Sequence, residues 1–519
     1  MVMSDEPTNI AEAEQNYPTG LRFNAIILSL ACVLVVCGLD FSILPTAVPA
    51  ITDHFHTVAD VGWYSAAFRL SSCSFSFMFG KLYKLFQIKP VFLTSFCIFM
   101  VGTTFCAAAA TSRMLVLGRA ITGLGVCGII AGCFAILPYI LPLRQRPLYT
   151  GLLSGIESIA TITAPILGGV LTQTLGWRSC FWMTLPLGGI ALVICFFFLG
   201  DLGSTEAKNM TYREILSHLD LVGNLFFLPS ITALFIALSW AGTQYPWSSP
   251  IIIGLLCTWA VLFGAFVYTQ RRRGDKATLP PCILRQRSVL TGAAFSVCCS
   301  ASLNGMEYYL PTYFQVVREY PPAKSGSMML PLAGAFLVAM LLQGAGTTLF
   351  GYQNPFALTA SLLFPIATGL VTTWTVDTEL AKLIACSALV GFAAGIGYQT
   401  PQVAVQTALS PSDSPLGLSV IMFANNFGPA LFISIAQVIF TSQLGVNLRD
   451  VAPEMDASSI EKLGLTELKT RLGPEELQQA LQGFDKSLVQ TWYLAVALCC
   501  ATIVGSASME WRSLKQKRS

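Results

Sequence analysis

The sequence predicts an all-α integral membrane protein with about fourteen spanning helices. Three observations carry this. The 519 residues are 54% hydrophobic and only 11% charged, with a mean hydropathy of +0.65; a soluble domain is about 25% charged, so this chain cannot coat a water-facing surface. Apolar segments of about 20 residues, the length that crosses a hydrocarbon core, recur from end to end. Lys and Arg gather in alternate loops. Length alone would allow roughly three soluble domains, but the continuity of apolar segments favours one membrane unit. A net charge of +3 is too small to argue for nucleic acid.

In chain order the apolar segments predict helices over 23–47, 61–83, 90–110, 113–140, 147–171, 178–199, 219–241, 249–270, 289–317, 325–348, 354–375, 380–406, 415–442 and 488–508. The polar stretches 200–218 and 271–288 bracket the pair 219–270 and separate six helices from six. The expected organisation is a disordered tail (1–20), a six-helix bundle (21–200), a hairpin with its flanking loops (201–287), a second six-helix bundle (288–508) containing a polar outer loop (443–487), and a short tail (509–519). The first 20 residues hold no apolar core, so no cleavable signal is expected and the first span acts as the insertion signal. The outer loop has amphipathic Leu spacing, which suits short helices lying on the outer face; a disordered loop is the alternative.

An even number of spans puts both termini on one side. Roughly 18 Lys and Arg fall on that side, including the run Arg271-Arg272-Arg273, against roughly 10 on the other, so both termini are expected in the cytosol. The sequon Asn209-Met210-Thr211 then faces the cytosol and is not used. The sixteen Cys lie nearly all in apolar segments without a CxxC pair, and three His cannot complete a zinc site, so no metal or cofactor is expected. No GxxxxGK[ST] loop occurs, which argues against an enzyme or an ATP-driven pump of that class.

An ionisable group at the membrane centre costs about 2.5–3.5 kcal/mol on insertion scales, so each deep one calls for a reason. There are five: Asp40, Arg69, Arg119, Glu157 and Glu307; Asp220 lies nearer a helix end. At 1.5 Å per residue, Asp40, Arg69 and Arg119 share the outer half of the bilayer, where an Asp–Arg pair can form. Asp40 then reads as a carboxylate that loads and releases a proton, or as half of a static ion pair. Glu157 lies near the midplane, as a proton carrier or a hydrogen bond between helices. Glu307 precedes Tyr308, Tyr309, Pro311 and Tyr313, with Gln315 close behind; an acid beside aromatics suits an amphipathic or cationic ligand, or is simply a polar helix end. Gln399, Gln402 and Gln406 recur at helical spacing and Asn425-Asn426 follow on the next helix, to line a wet cavity or to hold helices together. In the fifth span, Pro165, Gly168 and Gly169 mark a helix able to bend and pack closely.

Several stretches together resemble the major facilitator superfamily, in particular the fungal efflux-pump branch of its 14-span drug:proton antiporter-2 family. Leu39–Phe55 (LDFSILPTAVPAITDHF) resembles the first-helix pattern, Gly80–Lys89 (GKLYKLFQIK) the loop 2–3 motif, and Gly118–Gly132 (GRAITGLGVCGIIAG) the fourth-helix motif. Ala164–Leu171 (APILGGVL) resembles the antiporter motif, with Trp177–Gly189 as its sequel; Tyr308–Val317, Gly397–Leu409 and Glu510–Lys515 are similar to the fungal branch. The chain departs from the pattern at three places: Lys84 stands in place of an Asp, Ala164 in place of a Gly, and Arg69 in place of an apolar residue.

The resemblance implies the major facilitator fold, two six-helix bundles rocking about a central cavity with an inserted two-helix hairpin, 14 transmembrane helices in all. It implies a monomeric plasma-membrane protein, with the vacuolar membrane as an alternative, that exports a small hydrophobic molecule such as a drug, toxin or secondary metabolite in exchange for protons. Asp40 becomes the proton site, Arg119 its modulator, and Pro165, Gly168 and Gly169 the pliable seam facing the other bundle. Gly80, Lys84 and Lys89 become the inner gate. Glu157 lies outside the family pattern and stands as this chain's own candidate for proton or cargo contact. An importer of a siderophore or nutrient with the same fold and a non-transporting sensor are the alternatives.

Overall fold

The structure, a computed structural model, describes residues 17–56, 60–200, 211, 214, 218–242, 245–448 and 474–514. The first half comprises α1 (Gly20–Phe55), α2 (Val61–Ser74), α3 (Ser76–Leu85), α4 (Ile88–Ala107), α5 (Ser112–Ile140), α6 (Arg146–Leu175), α7 (Ser179–Trp182) and α8 (Thr184–Phe198). A hairpin follows, α9 (Leu221–Trp240) and α10 (Pro250–Arg273). The second half comprises α11 (Arg287–Thr312), α12 (Leu330–Phe350), α13 (Asn354–Val371), α14 (Leu380–Tyr398), α15 (Thr400–Ala408), α16 (Ser414–Asn447) and α17 (Pro474–Ser508).

Thirteen helical segments among the described residues are long and apolar enough to cross a membrane. The fourteenth crossing is α2 and α3 end to end: the helix is interrupted at Phe75, so neither piece alone reaches the length of a span. Another interruption has a covalent cause. Pro401 has no N–H to continue the ladder, and α14 gives way to α15 at Gln399. Pro311 lies inside the last turn of α11, which passes into a π-helix over Tyr313–Val317.

The largest apolar cluster stacks Phe77, Phe92, Phe96, Phe99 and Phe134 of the first half and runs on into the hairpin at Phe227 and into the second half at Val289, Leu416 and Ile421; another fills the far end of the first half around Leu39, Tyr64 and Trp177. The second half is built around Tyr313, Trp374 and Trp492, whose rings lie 5.1–5.8 Å apart. Backbones approach closely where α5 is glycine-rich: a Cβ at Gly123 would lie 2.2 Å from the Phe68 carbonyl oxygen, and one at Gly125 2.4 Å from the Phe99 nitrogen. In lipid, where apolar side chains gain little by leaving the solvent, such contact is what holds helices together.

The hairpin is fastened by one carboxylate. Asp220 caps α9 by accepting from the Gly223 N–H at 2.9 Å, and also accepts from Gln270 Nε2, Thr278 N and Thr278 Oγ1 at 2.7–2.9 Å. Arg273 Nη1 lies 3.2 Å from it. Beside it Lys81 of α3 is buried and donates to the carbonyls of His218 and Lys276 at 2.9 and 3.0 Å, so the hairpin is tied to the first half at this end.

The ends of the expected outer loop are not helices lying flat on the surface. α16 runs on to Asn447, and 474–487 forms the opening turns of α17. The amphipathic face finds a partner there: Asn447 Nδ2 donates to Ser487 Oγ and Gln490 Oε1, and Phe484 packs on Phe440 at 5.3 Å. Residues 449–473, the expected tail over 1–16, the sequon's Asn209 and the last five residues lie outside the described residues.

Candidate functional site

Facing helices of the two halves meet around a cavity of about 290 Å³. At the face where α3 ends and α16 begins, the halves are sealed together. Lys84 Nζ pairs with Asp413 Oδ1 at 2.7 Å. A Cβ on Gly80 would lie 2.6 Å from Ser419 Oγ, and Phe77 stacks on Phe423 at 4.8 Å. Alongside, α6 lies against α12: a Cβ on Gly344 would lie 2.7 Å from the Pro147 carbonyl oxygen, and one on Gly151 3.0 Å from that of Met340. The carboxylate missing from Lys84's own loop is thus supplied by the other half.

Of the residues singled out in the sequence, Glu157, Glu307, Gln402, Asn425 and Asn426 line this cavity. Five others do not. Tyr308 is 54% exposed outside the cavity wall. Tyr309 belongs to the core of the second half and donates to Gln437 Oε1 at 3.1 Å. Gln315 sits in the π-helical turn and reaches Ser325 Oγ at 3.4 Å. Gln399 and Gln406 are buried among helices, their amides without hydrogen-bond partners among the described residues. Spacing alone cannot select between faces when a helix breaks, and the break at Gln399 turns Gln402 alone toward the cavity.

Two further expectations are corrected. Gly168 does not face the other bundle: its Cβ would meet Thr46 Oγ1 at 2.4 Å and Ile43 Cγ1 at 2.7 Å, both on α1, while Gly169 has nothing within 4 Å. Pro165, inside α6 beside them, is on the same stretch. The close seam of α6 with the other half lies at Gly151 and Gly155, toward the sealed face. Lys89, expected at the gate, instead places its Nζ 5.3 Å from the Phe196 ring within the first half.

Asp40 lies just behind the cavity wall, between the lining residues Cys37 and Phe41, and is fully buried. Its partner is Arg119, with Nη1 2.7 Å from Asp40 Oδ2. Arg119 is fixed in turn: its Nε donates to the Tyr64 carbonyl at 3.2 Å, and the guanidinium lies 4.4 Å from the Phe68 ring. Asp40 Oδ1 has no hydrogen-bond partner among the described residues. A buried carboxylate held through one oxygen, with the other bare, has room for a proton on the bare one.

Arg69 is not paired with Asp40. Its guanidinium lies 4.8 Å from the Phe41 ring, on the cavity wall. The cavity also takes in residues the sequence reading passed over: Ser72, Ser76, Ser154, Ser158, Asn304 and Tyr398. A signal existed for four of them. Ser72 follows Arg69 by three, Asn304 precedes Glu307 by three, and Ser154 and Ser158 flank Glu157 by three and one; polar residues within one turn of a deep charge share its face or an adjoining one.

The sequence pattern of the Major Facilitator Superfamily matches residues 30–433. The MFS-type efflux pump MFS1 of Arthroderma benhamiae is 37% identical over 503 residues, 97% of this chain and 94% of that protein. The efflux pump aflT of Aspergillus parasiticus is 38% identical over 509 residues, 98% of this chain and 99% of that protein. The crystal structure of the human organic anion transporter MFSD10 (TETRAN) superimposes with a TM-score of 0.54 at 15% identity, covering 91% of this chain and 97% of that one, a likeness of fold alone.

Proposed function

The chain belongs to the major facilitator superfamily, and from that premise we propose that it exports a small, mostly apolar molecule across the plasma membrane in exchange for protons, acting as a monomer with both termini in the cytosol. The observation that carries the proton coupling is the half-satisfied Asp40, held by Arg119 directly behind the cavity wall. The efflux-pump names of relatives at 37–38% identity support the outward direction, and the distribution of Lys and Arg supports the orientation.

The geometry suggests how the cycle runs. With the termini in the cytosol, the seal at Lys84–Asp413 and along α6–α12 closes the cytosolic side, as after cargo has been taken up. A proton arriving on Asp40 Oδ1 weakens its hold on Arg119, whose guanidinium also bears on the α2 backbone through the Tyr64 carbonyl. Protonation therefore reaches the two-part helix α2–α3, which carries Gly80 and Lys84 of the seal. Inward proton movement supplies about 2.3 kcal/mol per charge per 100 mV, besides the pH term.

The test is flux in proteoliposomes containing the purified protein. A lipophilic dye cargo should move against its gradient when a pH gradient is imposed, and reversing that gradient should reverse the direction of net movement. Dye movement indifferent to the gradient would remove the proton from the mechanism.

A further inference from the structure

The cavity wall carries three charged side chains: Arg69 on α2, Glu157 on α6 and Glu307 on α11. They are not equivalent. A carboxylate can discharge itself by taking a proton, whereas a guanidinium keeps its charge at every physiological pH. Arg69 is therefore the permanent charge of the cavity. Among the described residues it makes no hydrogen bond and has no carboxylate within 4 Å; it is steadied by the Phe41 ring at 4.8 Å. Its electrostatic neighbours across the cavity, Glu307 and Tyr398, belong to the other half of the molecule. Glu307 itself has no hydrogen-bond partner among the described residues, and it is exposed to the cavity.

This arrangement leaves an unmet requirement. A fixed positive charge in a low-dielectric space needs a counter-anion, and Glu307 supplies it only across a gap. The gap is lined by Phe41, Phe68, Ile162, Phe336 and Met340, which suit an apolar or aromatic body. The planar fork of the guanidinium offers paired N–H donors to an anionic oxygen group.

On the reading that the cavity is the transport site, we propose that Arg69 anchors the cargo and that the cargo is an organic acid, a carboxylate or acidic phenol on an apolar, ring-sized body. The acid displaces the long-range attraction to Glu307 with a direct contact. Arg69 and Glu307 lie on opposite halves, so filling the cavity alters the attraction between them.

Three probes of one shape isolate the charge: 2-naphthoate, 2-naphthamide and 2-naphthylmethylammonium, titrated against the purified full-length protein in lipid nanodiscs with no gradient present. Naphthoate is expected to bind about tenfold more tightly than the amide, and the ammonium most weakly. Arg69→Gln is expected to erase the acid's advantage while leaving amide binding as it was, and Arg69→Lys to restore part of it. If Arg69→Gln does not fold, the ranking in the native protein decides. A native protein that prefers the ammonium, ranks the three equally or binds none of them overturns the proposal. Because no gradient is used, loss of proton coupling in proteoliposomes would leave an acid preference standing, and proton-driven flux without that preference would sink this inference alone.

Discussion

Asp40 and Asp220 are both aspartates with no exposed surface, each facing an arginine, yet they are wired in opposite ways. Asp220 receives five donors spread over both oxygens: a backbone N–H at its own helix start, an amide, a backbone N–H and hydroxyl from Thr278, and Arg273. Among the described residues Asp40 receives one, and Oδ1 is bare. A fully satisfied carboxylate has nothing to gain from a proton and everything to lose in its network. A half-satisfied one leaves an oxygen without a donor. The difference teaches that burial alone does not say how a membrane carboxylate is held; the count of donors separates the two.

The sharpest break of this comparison is Asp40→Asn. The amide oxygen can keep Arg119, and the NH2 takes the place of the bare Oδ1, so the fold should survive. Proton-driven efflux in proteoliposomes should fall to that of protein-free vesicles. Retained coupling would reduce Asp40 to a structural ion. The same change at Asp220 should do the reverse. Wherever the NH2 is placed it confronts donors, costing about 3 kcal/mol of stability, visible as a lower melting temperature of the solubilised protein. Equal melting temperatures for the two variants would erase the distinction.

Smaller effects come from the seal. Gly344→Ala puts a methyl 2.7 Å from a backbone carbonyl on the opposing half. Overpacking of that kind costs about 1–3 kcal/mol, charged here to the closed state alone, so efflux should slow about tenfold. A distance measurement between spin labels on the two halves should show the sealed face opening. The smallest effect belongs to Lys84–Asp413, a pair left 27% and 34% exposed. Lys84→Ala should change efflux by less than fivefold, as expected for an ion pair worth under about 1 kcal/mol, and Lys84→Asp more. The exchange Lys84→Asp with Asp413→Lys should restore function; failure of that rescue would show that the loop motif acts through something other than the pair.

Much of the fold was legible because the membrane constrains each segment separately. A stretch that crosses lipid must be apolar and must satisfy its own backbone, so spans such as 113–140 and 289–317 emerge from hydropathy alone. The span 61–83 reads as one helix in the sequence, and packing breaks it at Phe75 into α2 and α3. The candidate site was half legible. Deep charges advertise themselves by their cost, and Asp40, Arg119, Glu157 and Glu307 all proved to lie on or behind the cavity wall. The amides and aromatics did not, because Gln399, Gln406 and Tyr309 are as compatible with helix packing as with a cavity.

By itself, the sequence determined that the chain is a many-span helical membrane protein and which residues lie deep. Tertiary structure decided the partners. Depth along the membrane normal follows from counting residues, but position around the bundle does not, so by depth alone Arg69 and Arg119 were equal candidates for Asp40, and only the family resemblance favoured Arg119 until the helices packed. The same reason separates Gly151, pressed on the other half, from Gly168, pressed on α1, though both are small residues of one helix. It also brings Lys84 to Asp413, 329 positions away, where the charge absent from one loop is met by the start of a helix in the other half.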